Sequence, residues 1–179
     1  MKKLLLICLT SINIFLQSCD ERITPKGDLI NSGINNNSKT KTDFLTAYPW
    51  KADEVSVKGG GKTIMLYSKA KGIGLKSEYA DSKTTYKSDG TAIQVDNGVA
   101  EKATWKFLAN EQQLQVTPEQ QDAQLYAIDL LDSNSLNLRT TLKKVDFGDD
   151  NFWKSYLTGL GLPLAIDSFE IEVKSIPVK

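Results

Sequence analysis

Residues 84–142, TTYKSDGTAIQVDNGVAEKATWKFLANEQQLQVTPEQQDAQLYAIDLLDSNSLNLRTTL, decide the fold class. Ile93 and Val95 alternate with Ala92, Gln94 and Asp96. Trp105 and Phe107 flank Lys106, Leu114 and Val116 flank Gln115, and Leu136, Leu138, Thr140 and Leu142 alternate with Asn137, Arg139 and Thr141. Apolar residues at a period of two mark antiparallel strands with one dry and one wet face. The runs are separated by Ser88-Asp89-Gly90, Asp96-Asn97-Gly98, Asn110-Glu111 and Asp132-Ser133-Asn134, all of turn composition. Short strands at this regular spacing predict an all-β chain, an antiparallel up-and-down barrel of about eight strands.

Upstream of this stretch, Trp50 opens a strand in which Val55 and Val57 alternate with Glu54, Ser56 and Lys58. Gly59-Gly60-Gly61 forms a turn, and Ile64 to Tyr67 a second strand. Leu75 to Tyr79 is a candidate strand between bends at Gly72 and Gly74. Downstream, Asp149 and Asp150 suit a helix N-cap, and Trp153, Leu157 and Leu160 share one helical face. Gly159 or Gly161 ends that helix, which Pro163 cannot continue. This is the one short helix before the last strand, which carries Phe169, Ile171 and Val173 inward and Glu170, Glu172 and Lys174 outward. Its apolar stripe is expected to plug one mouth of the barrel.

The first 43 residues have a different character. Lys2 and Lys3 precede a mostly apolar run, Leu4 to Leu16, that is too short and too interrupted to be a permanent span. The run ends in Leu16-Gln17-Ser18-Cys19, which resembles the lipobox of bacterial lipoproteins. That resemblance implies a signal peptide over residues 1–18 and lipidation of Cys19. Several acyl chains on Cys19 would hold the protein stably to a membrane, where one would hold it only marginally. Asp20-Glu21 resembles the surface-export signals of Bacteroidetes lipoproteins. Residues 19–43, rich in Asn, Lys and Thr, read as a flexible tether reaching on the order of 30 Å. The folded domain is expected over residues 44–179.

Composition excludes several classes of chemistry. The 179 residues include 22 basic and 22 acidic side chains. Loss of residues 1–18 removes Lys2 and Lys3, leaving 20 basic against 22 acidic residues, a net charge of −2. Such a chain has no electrostatic reason to bind nucleic acid. The sequence contains no histidine, and its two cysteines are Cys8 and Cys19. The body therefore cannot build a Ser-His-Asp or Cys-His nucleophile, a His/Cys zinc site or an internal disulfide. Gly59-Gly60-Gly61-Lys62-Thr63 ends like a phosphate-binding loop, but Ser56 stands where that pattern needs glycine. Asp146-Phe147-Gly148 matches a kinase signature only as letters. Asp146, Asp149 and Asp150 offer oxygen ligands, yet their spacing fits no EF-hand and capping already accounts for two of them. No pair of carboxylates stands out for glycoside hydrolysis. The expectation is a protein that is not an enzyme and has neither metal nor cofactor.

Pro49-Trp50-Lys51, Tyr86-Lys87-Ser88-Asp89-Gly90-Thr91, Ala103-Thr104-Trp105-Lys106-Phe107, Leu114-Gln115-Val116, Tyr126-Ala127-Ile128 and Leu136-Asn137-Leu138 together resemble the lipocalin-like domains of Bacteroidetes lipoproteins. The resemblance covers roughly residues 44–142 and implies a small calycin-like barrel. Trp50, Tyr86, Trp105 and Tyr126 are the candidate ligand-binding residues, lining a cup for a small apolar or glycan-like molecule. The mid-strand positions of Trp105 and Phe107 suit filling of the barrel better than ligand contact. Asp129 lies on a face with Leu125, Ala127 and Leu131, opposite Tyr126, Ile128 and Leu130, and Arg139 is its candidate partner. The expected role is a lipid-anchored protein of the bacterial outer membrane, periplasmic or surface-exposed, acting as a non-catalytic binding module. Its expected partners are the membrane, through the anchor, and a small molecule. The alternative is a structural or accessory protein with a filled barrel, docking an envelope protein.

Overall fold

The computed structural model describes residues 39–74 and 78–179. Cys19, the residues 1–18 read as a signal peptide and most of those read as a tether lie outside the described residues. The first element is a helix, α1 (Lys41–Thr46), followed by strands β1 (Trp50–Gly59), β2 (Lys62–Ser68), β3 (Lys83–Tyr86), β4 (Thr91–Asp96) and β5 (Val99–Leu108). Strands β6 (Gln113–Pro118), β7 (Gln124–Leu131) and β8 (Leu136–Lys143) come next. A second helix, α2 (Asp150–Leu160), then precedes the last strand, β9 (Ser168–Pro177). No helix among the described residues is long and apolar enough to cross a membrane.

Eight strands close into an antiparallel barrel in the order β1-β3-β4-β5-β6-β7-β8-β9, with β9 returning to β1. That closing seam is long, running from Trp50 opposite Pro177 to Lys58 opposite Glu170. The β1–β3 seam has only two pairs, Trp50 with Thr84 and Lys51 with Lys83. Beyond it the same edge of β1 is taken by β2, from Glu54 opposite Ser68 to Gly59 opposite Lys62. β2 is thus a ninth strand, outside the barrel ring. Closure removes the unpaired edges of the ring strands and leaves β2 as the outer strand of the sheet.

The four turns read from composition all join strands. In the β3–β4 turn, Asp89 accepts from the Thr91 N–H (2.9 Å) and hydroxyl (2.6 Å). The Gly90 carbonyl accepts from the Trp105 N–H at 2.7 Å. Helix α2 begins at Asp149, whose carboxylate accepts from the Asn151 N–H at 2.7 Å, and ends at Gly161 with φ +71°. Its buried face, Trp153, Tyr156, Leu157 and Leu160, packs with Val57, Ile64, Leu66, Leu142, Phe169 and Ile171.

Four features differ from the alternation read above. α1, capped by Thr40 through a reciprocal bond pair with Asp43, starts at Lys41, ahead of the boundary placed at residue 44. Glu78–Ala80 form a 3-10 turn where Leu75–Tyr79 suggested a strand, residues 75–77 lying outside the described set. The phase of β4 is reversed. Ala92 pairs with Tyr86 and Ala103, and Ala92, Gln94 and Asp96 face inward while Ile93 and Val95 face out. In β7 the pairing with β8 shifts between Ile128 and Leu130. The irregularity exchanges the faces of the last two residues, so Leu131 packs in the core and Leu130 is exposed.

Candidate functional site in the barrel

Both expectations about the interior, filled or hollow, hold for part of its height. The end nearest α1 is solid. Leu45, Trp50, Tyr86, Ala92, Leu114, Leu136 and Leu138 are buried there, with Trp105, Phe107, Tyr126, Ile128 and Leu131 packed against them. α1 closes this end. The Trp50 indole N–H donates to the Leu45 carbonyl at 2.8 Å, and Lys41 Nζ donates to the Glu111 carbonyl at 2.6 Å.

Above this floor the barrel holds a cavity of about 910 Å³. Trp50, Tyr86 and Tyr126 reach its surface. Trp105 does not. Its ring stands edge-on to Tyr86 (6.0 Å between centroids) and to Phe107 (5.3 Å), and its indole N–H donates to the Lys87 carbonyl at 2.9 Å. Trp105 therefore builds the floor and ties the β3–β4 turn beneath it. The Tyr86 hydroxyl is held protonated well above the usual tyrosine range, because burial penalises its phenolate. Tyr126 donates its hydroxyl to Gln124 Oε1 at 2.5 Å.

The walls are unlike one another. Val55, Leu138, Leu142, Ile171 and Val173, from β1, β8 and β9, form an apolar side. Gln94, Asp96 and Glu101, from β4 and β5, form a polar one, with Gln121, Asp122 and Gln124 continuing it across the β6–β7 loop. Gln94 and Glu101 are paired across the ladder, and Gln94 Nε2 donates to Asp96 Oδ2 at 2.7 Å. Tyr79 and Ser82, on the β2–β3 connection, line the gap left by the short β1–β3 seam.

Alternation missed these polar residues because it assigned every polar position to the outside. Only the register reveals them: Ala92 pairs with Tyr86 and Ala103, and two-residue steps from Ala92 carry Gln94 and Asp96 inward with it. No residue of helix α2 lines the cavity, although its cluster shares Leu142 and Ile171 with the cavity wall. The helix covers the extension of β1, β2, β8 and β9 beyond the ring, while Val145 and Asp146, in the 3-10 turn Lys144–Phe147, reach the cavity rim.

The remaining candidates are engaged in hydrogen bonds and ion pairs. Asp129 pairs with Arg139 as expected, Nε to Oδ2 and Nη2 to Oδ1 both at 3.1 Å, while Arg139 Nη1 reaches Glu170 at 2.8 Å. The group lies on the outer face, about one-third exposed. Asp150 pairs with Lys144 and Lys154, and Asp146 accepts the Lys143 N–H. Among the described residues no group of three or more carboxylate, thiol or imidazole side chains is placed to hold a metal ion. The chain matches no protein-family model and no curated protein.

Proposed function

We propose that this protein is a lipid-anchored lipoprotein of the bacterial cell envelope whose barrel is a non-catalytic binding module for a small apolar or glycan-like ligand. The cavity carries the proposal. Its volume of about 910 Å³ lies within the range of small-molecule sites, ~300–1,000 Å³, and its floor is aromatic and aliphatic with few polar groups. Eight-stranded barrels that enclose such a space hold one ligand where filled ones hold none. Trp50, Tyr86 and Tyr126 would contact the bound molecule from below. Cys19 would carry the acyl chains, and the segment that follows would lift the barrel from the outer membrane.

Native mass spectrometry of the protein purified from its own host tests both halves. Expected are an acylated Cys19 as the mature N-terminus and one small molecule per chain. A different N-terminus would overturn the anchor. Recovery only as apo-protein with a bound subunit would replace the binding module by an accessory role.

A further inference from the structure

Resting on the binding-module reading, we infer that the ligand is an amphiphile whose apolar body lies on the floor and the β8–β9–β1 wall, and whose head is a protonated amine meeting the β4–β5 wall. Three observations converge on this class. First, the cavity is two-sided, with Leu138, Leu142, Ile171 and Val173 facing Gln94, Asp96 and Glu101. A wholly apolar ligand would strip water from the second wall and give nothing in return.

Second, the charged residues lining that space are four carboxylates against one lysine. Asp96, Glu101, Asp122 and Asp146 line it, and none of them makes an ion pair among the described residues. The basic residue among the lining groups is Lys102, which alternates with Glu101 and Ala103 and so belongs to the outer face of β5. Carboxylates at the mouth of a low-dielectric cavity attract a cation and repel a fatty acid or a phosphate. Third, Gln121 Oε1 is out of contact with solvent and accepts no hydrogen bond among the described residues. Such an acceptor is costly unless a donor arrives; Gln121 lines the cavity, so rotation of its side chain would present the oxygen to a ligand, and an ammonium N–H is a donor where a carboxylate is not.

Calorimetric titration of the full chain with decylamine, decyl glucoside and decanoate, each below its micellar concentration, tests the inference. The amine is expected to bind at least about tenfold more tightly than the carboxylate, with the neutral glucoside between them. In the double variant Asp96→Asn/Glu101→Gln the preference should shrink to about threefold or less, and raising the salt should shrink it in the parent chain. The Asp96→Asn change leaves a side-chain carbonyl to accept from Gln94, and a circular-dichroism melt matching the parent establishes that the variant folds. Gln121→Leu should weaken the amine and leave decanoate, which has no N–H or O–H to donate, unchanged.

Decanoate binding as tightly as the amine, or an amine preference that survives removal of both carboxylates, would overturn the inference and leave the binding module standing. Failure of all three probes to bind would count against the binding module itself.

Discussion

Replacing Trp153 by alanine should cost this domain about 4 kcal/mol, a large share of the ~5–15 kcal/mol that holds a typical domain together. The side chain is 1% exposed. Its ring stacks on Phe169 at 5.4 Å and meets Phe147 edge-on at 4.8 Å, and its indole N–H donates to the Ile166 carbonyl at 2.9 Å. Truncation returns roughly 200 Å² of apolar surface, worth ~5 kcal/mol at about 25 cal/mol per Å² as an upper bound. Collapse around the void recovers part of that, while the Ile166 carbonyl loses its donor and adds about 1 kcal/mol. Trp153→Phe keeps a ring between Phe147 and Phe169 and should lose only ~1.5–2 kcal/mol, mostly the hydrogen bond and the second ring. Urea denaturation followed by circular dichroism measures both. With a slope of ~2 kcal/mol per M, the alanine midpoint should fall by about 2 M, in one cooperative step. One step is expected because Phe169, Ile171 and Leu142 belong to β9 and β8, so the helix cluster shares its strands with the barrel. A loss below about 2 kcal/mol, or an early separate transition for α2, would refute the idea that helix and barrel are one unit.

The Asp129–Arg139 pair should show a coupling of only ~0.5–1 kcal/mol in a double-mutant cycle, reduced by salt, because both side chains are about one-third exposed and water screens them; a coupling above about 2 kcal/mol would contradict that. Asp150, held by hydrogen bonds from Lys144 and Lys154, has its pKa lowered from 3.8 to about 2. Its folded value lies below its unfolded one, so the stabilisation is present above pH 3.8 and is lost as pH falls toward 2. Glu54, lowered chiefly by its hydrogen bond from Lys174, acts with the same sign. Asp150→Asn should therefore flatten part of the fall in urea midpoint between about pH 4 and pH 2, and an unchanged slope would dismiss the pairing. Gly74→Ala should destabilise by about 2 kcal/mol or more, since φ is +65° and the new Cβ would lie 2.4 Å from the Leu66 carbonyl oxygen. Gly72→Ala, at φ +67° in open space, should cost about half as much; equal losses of Tm would show that the clash is relieved.

Much of the fold was legible in the sequence because a barrel strand must show a two-residue period wherever its interior is packed. Leu114, Leu136, Leu138, Val55, Val57 and Phe169 were read inward and are buried. The turns and the α2 caps were legible for a different reason: Asp89, Gly90, Asp149 and Gly161 satisfy backbone groups and dihedral angles that few residues satisfy. α1 was not legible. Six residues carry too little periodicity to register, and its anchor, the Trp50 indole on the Leu45 carbonyl, is a tertiary contact. The irregular pairing in β7 was invisible too, since Leu130 and Leu131 are both leucine and the pattern reads the same in either phase.

The misread phase of β4 has a physical cause that bears on the site. Alternation reports which face avoids water, and it identifies the inner face only when the inside is the drier side. In a barrel hollow at one end, the inner face of a strand near the mouth meets solvent or a ligand. The outer face can then carry the more apolar residues, as Ile93 and Val95 do here. Along β4 the inward positions run from Ala92, 1% exposed over the aromatic floor, through Gln94 to Asp96 at the mouth. That is a gradient from dry to wet within one strand. Apart from Thr140 and Ser175, β8 and β9 stay apolar inward through Leu142 and Ile171, because the α2 cluster continues their dry surface beyond the ring. The polarity of the β4–β5 wall is thus no failure of the barrel pattern. It is what that pattern looks like where the interior stops being core and becomes a cavity, and the carboxylates there occupy positions that packing did not require.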